Sequence, residues 1–221
     1  MEGLDVFEQQ GYGKRIGFGS RPALLIIDCM NSFKDPALFG SPEMVEAMAQ
    51  ASKLLAAARD AKIPVAHTRH LFAKDGSDLG MFARKLPSQA MLTEDDPSSQ
   101  IADELAPRPS EIVVRKRYPS GFFSTDLADL FHLRGVDTVL VAGASTSGCV
   151  HASVVDAMCH GFRVIIVREC VADRHKMCHE AALLNMDMKY GDVVPLADAV
   201  RYLRGIPAAS PVNRREMSTS T

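Results

Sequence analysis

Val139-Leu-Val-Ala-Gly-Ala-Ser-Thr-Ser-Gly-Cys-Val-His-Ala-Ser-Val-Val-Asp156 reads as a strand, a tight turn and a helix. An aliphatic run breaks at Gly143, small residues carry the chain to Gly148, and an amphipathic run begins at Cys149. A helix N-terminus has unpaired N–H groups and a partial positive charge. A thiol placed there is expected to have its thiolate stabilised and its pKa lowered. The same N–H groups can hold an oxyanion. Cys149 is therefore the candidate nucleophile, and the flanking sequence is read for what would equip it.

Upstream, Ala23-Leu-Leu-Ile-Ile-Asp28 is an unbroken aliphatic run that ends in a carboxylate, the pattern of a strand buried on both faces. Ser41-Pro42-Glu43 is a helix start, and Met44, Met48, Ala51, Leu55 and Ala58 repeat at helical spacing to about Lys62. Ile63 to Arg69 forms a second strand. Residues 71–110, with prolines at 87, 97, 107 and 109, form a long irregular excursion of the kind that covers a site. Glu111–Lys116 is strand three, a helix capped by Thr125-Asp126 follows, and Asp137–Ala142 is strand four. Downstream of the Cys149–His160 helix come strand five (Arg163–Arg168), a helix over 177–188, a short strand at Asp192-Val-Val and a last helix over 197–203.

Alternation of strands and helices predicts an α/β fold: a three-layer, doubly wound sheet of about six mostly parallel strands with helices on both faces. Ligands in such sheets bind beyond the carboxyl ends of the strands, at the switch point. Asp28, Lys116 and Cys149 all fall at those ends. A strand-end Asp also serves as a metal ligand or cap, a strand-end Lys as a solvated edge, and a lone Cys as a small buried hydrophobe. Together the three are more specific than any one.

The bulk properties narrow the class. A chain of 221 residues suits one α/β domain, and a net charge of −2 gives no basic footprint for nucleic acid. No apolar run is long enough to span a membrane, and the N-terminus has neither the basic nor the apolar region of a signal peptide. Five cysteines, an odd number without a CxxC pair, argue against a disulfide framework or structural zinc and fit a cytoplasmic location. Residues 1–20, Gly-rich and polar, read as an N-terminal arm, 21–206 as the folded domain, and 207–221 as a flexible C-terminal tail.

Asp28, Lys116 and Gly143-Ala-Ser-Thr-Ser-Gly-Cys-Val150 resemble the isochorismatase-like cysteine hydrolases over roughly residues 20–205. Thr146–Val150, Val155-Asp-Ala157 and Asp173-Arg174 are most similar to the N-carbamoylsarcosine amidase and maleamate amidase branch. The resemblance implies amide hydrolysis with release of ammonia, a catalytic triad of Asp28, Lys116 and Cys149, no cofactor, and a homotetramer. True isochorismatases lack the cysteine. Nicotinamidases carry an Asp-x-His metal pair after strand two, where this chain has Thr68-Arg69-His70-Leu71-Phe72, so no metal is expected.

In the implied mechanism, Cys149 attacks, Asp28 moves the protons, and Lys116 holds Asp28 and favours the thiolate. The backbone N–H groups of Ser145 and Cys149, with the Thr146 hydroxyl, form the oxyanion hole, and the Ala144–Ser145 peptide is expected to be cis. A carboxylated substrate needs a guanidinium. Arg174 is the first candidate, against a surface role in a loop, and Arg69 the second. Phe33 is either an apolar wall of the pocket or plain core. His67 and His70 read as structural or pocket-lining, and His175 and His179 as a helix surface. The expected partner is a small amide, with maleamate first, N-carbamoylsarcosine or a related ureide next, and nicotinamide third. A non-catalytic scaffold subunit is the reading from another class.

Overall fold

A computed structural model describes residues 5–206; the expected tail 207–221 lies outside the described residues. Its elements are α1 (Asp5–Gln9), β1 (Pro22–Ile27), α2 (Pro42–Asp60), β2 (Val65–His70), α3 (Met81–Lys85), β3 (Ile112–Lys116), α4 (Leu127–Leu133), β4 (Thr138–Ala144), α5 (His151–Cys159), β5 (Arg163–Ala172), α6 (Lys176–Lys189), β6 (Asp192–Val194) and α7 (Leu196–Arg204). Six strands pair in the order β3-β2-β1-β4-β5-β6, every neighbour parallel. This is the doubly wound sheet expected from the alternation of apolar runs.

The sheet divides two cores because successive strand residues point to opposite faces. Leu24 and Ile26 of β1 pack with Met44, Met48, Leu54 and Leu55 of α2 and with Leu203 of α7. Ala23, Leu25 and Ile27 pack on the other face with Phe131 of α4, Val154 of α5 and Met186 of α6. Removing a large aliphatic side chain from either layer costs about 2–5 kcal/mol. The start of α2 forms as its sequence predicts: Pro42 takes the first turn and the Ser41 hydroxyl accepts from the Met44 N–H at 3.3 Å. Such a cap contributes about 1 kcal/mol.

Three placements made by tertiary contacts matter. The arm is pinned at the amino ends of the strands: the Ile16 and Gly17 N–H groups donate to Asp192, and the Ser20 and Arg21 N–H groups donate to Asp137. The excursion after β2 returns to the other end, where Ala102 N–H donates to Cys29 O at 2.9 Å and Asn31 N–H to Gln100 O at 2.9 Å, just beyond Asp28. Finally, β5 does not stop at Arg168. It runs on to Ala172 past a register shift opposite Val141 and Gly143, and the exposed Arg168-Glu169 pair hides the continuation from a hydrophobicity pattern. The extension delivers Asp173 to the carboxyl rim.

Candidate active site

Beyond β1 the sheet runs to β2 and β3, and beyond β4 it runs to β5 and β6, so the strand order reverses between β1 and β4. Asp28 leaves β1 and the Cys149 turn leaves β4 at this crevice. The two strands close tightly there. Gly143 has φ +127°, and a Cβ on it would lie 2.1 Å from the Ile27 carbonyl oxygen, so only glycine fits. Lys116 starts two strands from β1, roughly 10 Å away at ordinary strand spacing. A long side chain is needed to cross β2.

Lys116 makes that crossing. Its Nζ lies 2.7 Å from Asp28 Oδ2 and donates to Cys149 Sγ at 3.4 Å and to the Tyr118 carbonyl at 3.1 Å. Asp28 and Lys116 are fully buried, and Cys149 is buried with 8% of its surface exposed. Burial alone would discharge the lysine, but the Asp28 carboxylate and the Cys149 sulfur beside it together more than offset this and raise its pKa. The expectation of a lowered thiol pKa is corrected here. Burial, reinforced by the charge of Asp28 and a hydrogen bond to it, pushes Cys149 up to about 12 despite Lys116. At rest the sulfur therefore carries its proton, with a carboxylate beside it to receive that proton.

Local structure explains the aim of each group. Asp28 has φ +49°, a left-handed conformation held by Thr68 of β2. The Thr68 hydroxyl donates to Asp28 Oδ1 at 2.6 Å and accepts from the Asp28 N–H at 3.1 Å. Cys149 sits in a single wide turn, Thr146–Val150, before α5 begins at His151, so the helix starts later than the sequence predicts. Non-helical Gly148 makes the bend, and the Ser145 carbonyl accepts from the Gly148 and Val150 N–H groups. The Ala144–Ser145 peptide is cis. Asp173 anchors the same turn by accepting from the Ser147 N–H and hydroxyl at 2.8 and 2.7 Å. From α5, Ser153 donates to the Cys149 carbonyl and accepts from the Gly121 N–H.

An isochorismatase-domain family model matches residues 22–198. The chain belongs to the isochorismatase family. It is 49% identical over 195 residues to the maleamate amidohydrolase of Pseudomonas putida, covering 87% of this chain and 92% of that protein. It is 34% identical over 211 residues to the N-carbamoylsarcosine amidase of an Arthrobacter species, covering 93% of this chain and 80% of that one. Among solved structures, a cysteine hydrolase from Pseudomonas syringae pv. phaseolicola superposes with a TM-score of 0.81 at 26% identity, covering 87% of this chain and 97% of that one.

On this isochorismatase-family scaffold the outer candidates separate. Arg174 stacks over Phe33, its guanidinium carbon 5.5 Å from the ring centroid, and has no carboxylate partner among the described residues. The two residues therefore come together, one residue beyond the Asp173 anchor. Arg174 also lines a groove of about 800 Å3 between α2, the end of β5 and α6 whose walls do not include Cys149. Arg69 is a correction. Its guanidinium donates to Glu94 Oε1 at 2.6 Å, to the Glu94 carbonyl, and to the carbonyl and hydroxyl of Ser99. With those donors spent, Arg69 ties the excursion to β2 and is not a free cation for substrate. His67 is structural, its Nε2 3.2 Å from Glu111. His179 is not plain helix surface: its Nδ1 lies 2.9 Å from the hydroxyl of buried Thr146. His151, which follows the motif, pairs with Asn185.

Thr68, Ser153 and the Asp173 clamp went unassigned from sequence. A hydroxyl at a strand end carries no signal until the register sets Thr68 opposite Ile27. Replacing Thr68 with Val is expected to lower kcat about tenfold and to cost about 1.5–3 kcal/mol of stability, because a buried carboxylate loses its donor. Thr68→Ser should retain both. Steady-state rates and thermal melts check this, and an unchanged kcat in the valine variant would remove Thr68 from the site.

Proposed function

We propose that this protein is a cysteine-dependent amidohydrolase that opens a small carboxylated amide through a thioester, with maleamate, giving maleate and ammonia, as substrate. The observation that carries the proposal is the direct contact of Lys116 with both Asp28 and Cys149 at the switch point. The 49% identity to a maleamate amidohydrolase supports the choice of substrate. The unit taken to carry the activity is 21–206, preceded by the arm 1–20.

Asp28 accepts the Cys149 proton as the sulfur attacks the amide carbonyl. The carbonyl electrons move onto oxygen, facing the backbone N–H groups of Ser145 and Cys149. When the tetrahedral carbon collapses, the C–N bond breaks and Asp28 returns the proton to the departing nitrogen, which leaves as ammonia. Water then gives a proton to Asp28 and attacks the thioester. The acid departs and the thiolate recovers its proton. Lys116 stays charged throughout, balancing Asp28 and the developing thiolate. The guanidinium of Arg174, backed by Phe33, takes the substrate carboxylate.

The test is ammonia release from maleamate and N-carbamoylsarcosine side by side, with intact-mass detection of the acyl-enzyme. Faster turnover of maleamate is expected. A preference for N-carbamoylsarcosine would move the protein to the ureide side of the family, and release from neither, with no adduct, would favour a scaffold. Replacing Arg174 with Met should raise KM for maleamate about tenfold with a smaller change in kcat, the cost of one charged hydrogen-bonding contact at an exposed position. An unchanged KM would take Arg174 out of substrate recognition.

A further inference from the structure

His70 closes β2 directly opposite Lys116 of β3 in the parallel register. It lies two residues beyond Thr68, whose hydroxyl holds Asp28, and so shares the face of β2 that carries the Asp28–Lys116–Cys149 cluster. The imidazole is 2% exposed. Phe72 and Phe82 meet it edge-on, with ring centroids 4.8 and 5.2 Å away. Neither Nδ1 nor Nε2 has a hydrogen-bond partner among the described residues. His67, on the opposite face of the same strand, does find one in Glu111.

A buried polar group without a partner costs about 1–3 kcal/mol and calls for an explanation. Burial, and then the Lys116 ammonium, pull the His70 pKa down to about 4, so at neutral pH the ring is uncharged. A neutral imidazole has one donor and one acceptor nitrogen. The aromatic walls satisfy neither, and Asp28, when ionised, only accepts. The acceptor nitrogen is therefore open to a donor that enters from outside, the N–H of a substrate amide or the O–H of a water. A carboxylate group of a substrate has none, whereas a primary carboxamide has two.

We propose that His70 is a specificity-determining residue that accepts a hydrogen bond from the scissile carboxamide of the substrate and turns its nitrogen toward Asp28. The proposal rests on the amidohydrolase activity above and extends it to selection of primary amides over esters. A buried water in place of the amide is the competing occupant, and it would make the histidine indifferent to the leaving group.

The experiment compares kcat/KM for maleamate and for the monomethyl ester of maleate, which has the same carbonyl but no N–H. The proteins are wild type, His70→Phe, His70→Asn and His70→Gln. His70→Phe is expected to lower the amide-to-ester ratio about tenfold, the loss of one hydrogen bond in the transition state. Its melting temperature should be equal or higher, because two unpartnered nitrogens are removed. Asn or Gln, which place an acceptor near one or the other ring nitrogen, should recover the ratio in at least one case. If His70→Phe does not fold, the Asn and Gln pair carries the test. Equal losses on amide and ester, an unchanged ratio in His70→Phe, or failure of both polar variants would overturn the proposal. A wild-type protein that releases no ammonia from maleamate would bring down the amidohydrolase activity itself, and this inference with it; an active wild type with an unmoved ratio brings down only the role of His70.

Discussion

Replacing Cys149 with alanine is expected to leave a folded protein that releases no measurable ammonia and forms no acyl adduct. The loss should be on the order of 10^6-fold in kcat, the scale set by removing a nucleophile from a preorganised site. That corresponds to about 8 kcal/mol of barrier. None of the other cysteines can replace it. Cys29 follows Asp28 in the chain, but it packs in the core on the opposite face of the sheet, and burial pushes its pKa far up. Cys170 is buried in that same layer and likewise raised by burial. Cys159 and Cys178 are exposed on α5 and α6. The fold should tolerate the change because Lys116 keeps Asp28 and the Tyr118 carbonyl as partners. Ammonia assays and intact-mass spectrometry read the result, and near-wild-type turnover in the alanine variant would sink the thioester mechanism.

The second large effect is that of Asp28→Asn. In the proposed mechanism two proton transfers depend on this carboxylate, and general acid–base catalysis contributes about 10^2–10^4-fold. A loss near the upper end is expected. The substitution also leaves the Lys116 ammonium buried without its counter-charge, a change that costs about 3–5 kcal/mol of stability. Rates are therefore read on the folded fraction. A second readout moves in the opposite direction. Burial is the main reason the Cys149 pKa is raised, but Asp28 adds to it and Lys116 opposes it. Removing the Asp28 charge lowers the thiol pKa, so iodoacetamide should label Cys149 at a lower pH than in wild type while turnover collapses. Retained turnover, or labelling displaced to higher pH, would contradict the assignment of Asp28 as the proton carrier.

Legibility of the site followed the strength of local signals. The aliphatic runs ending at Asp28 and Lys116, and the small-residue turn before Cys149, are visible because strand ends and turns have their own composition. Arg69 misled for the same reason: a cation at a strand end looks the same whether it is free or spent on Glu94 and Ser99 of an excursion roughly thirty residues away. The extension of β5 was hidden by two exposed polar residues, and the anchoring of the arm by contacts to Asp137 and Asp192 on distant elements.

Local sequence alone determined the order of the six strands and of the helices that cover them, though not the short helices α1 and α3, together with the parallel sheet they imply and the three side chains that arrive at its carboxyl edge. It did so because periodicity, glycine breaks and helix caps act over a few residues. Only the tertiary structure decided protonation and aim. Cys149 was expected to be acidified by a helix N-terminus, yet burial beside Asp28 holds its proton on. Thr68 became the support of Asp28, and His70 was left with no hydrogen-bond partner among the described residues beside the Asp28–Lys116–Cys149 cluster. These properties depend on strand register and on the exclusion of water, and both are set by residues far apart in the chain.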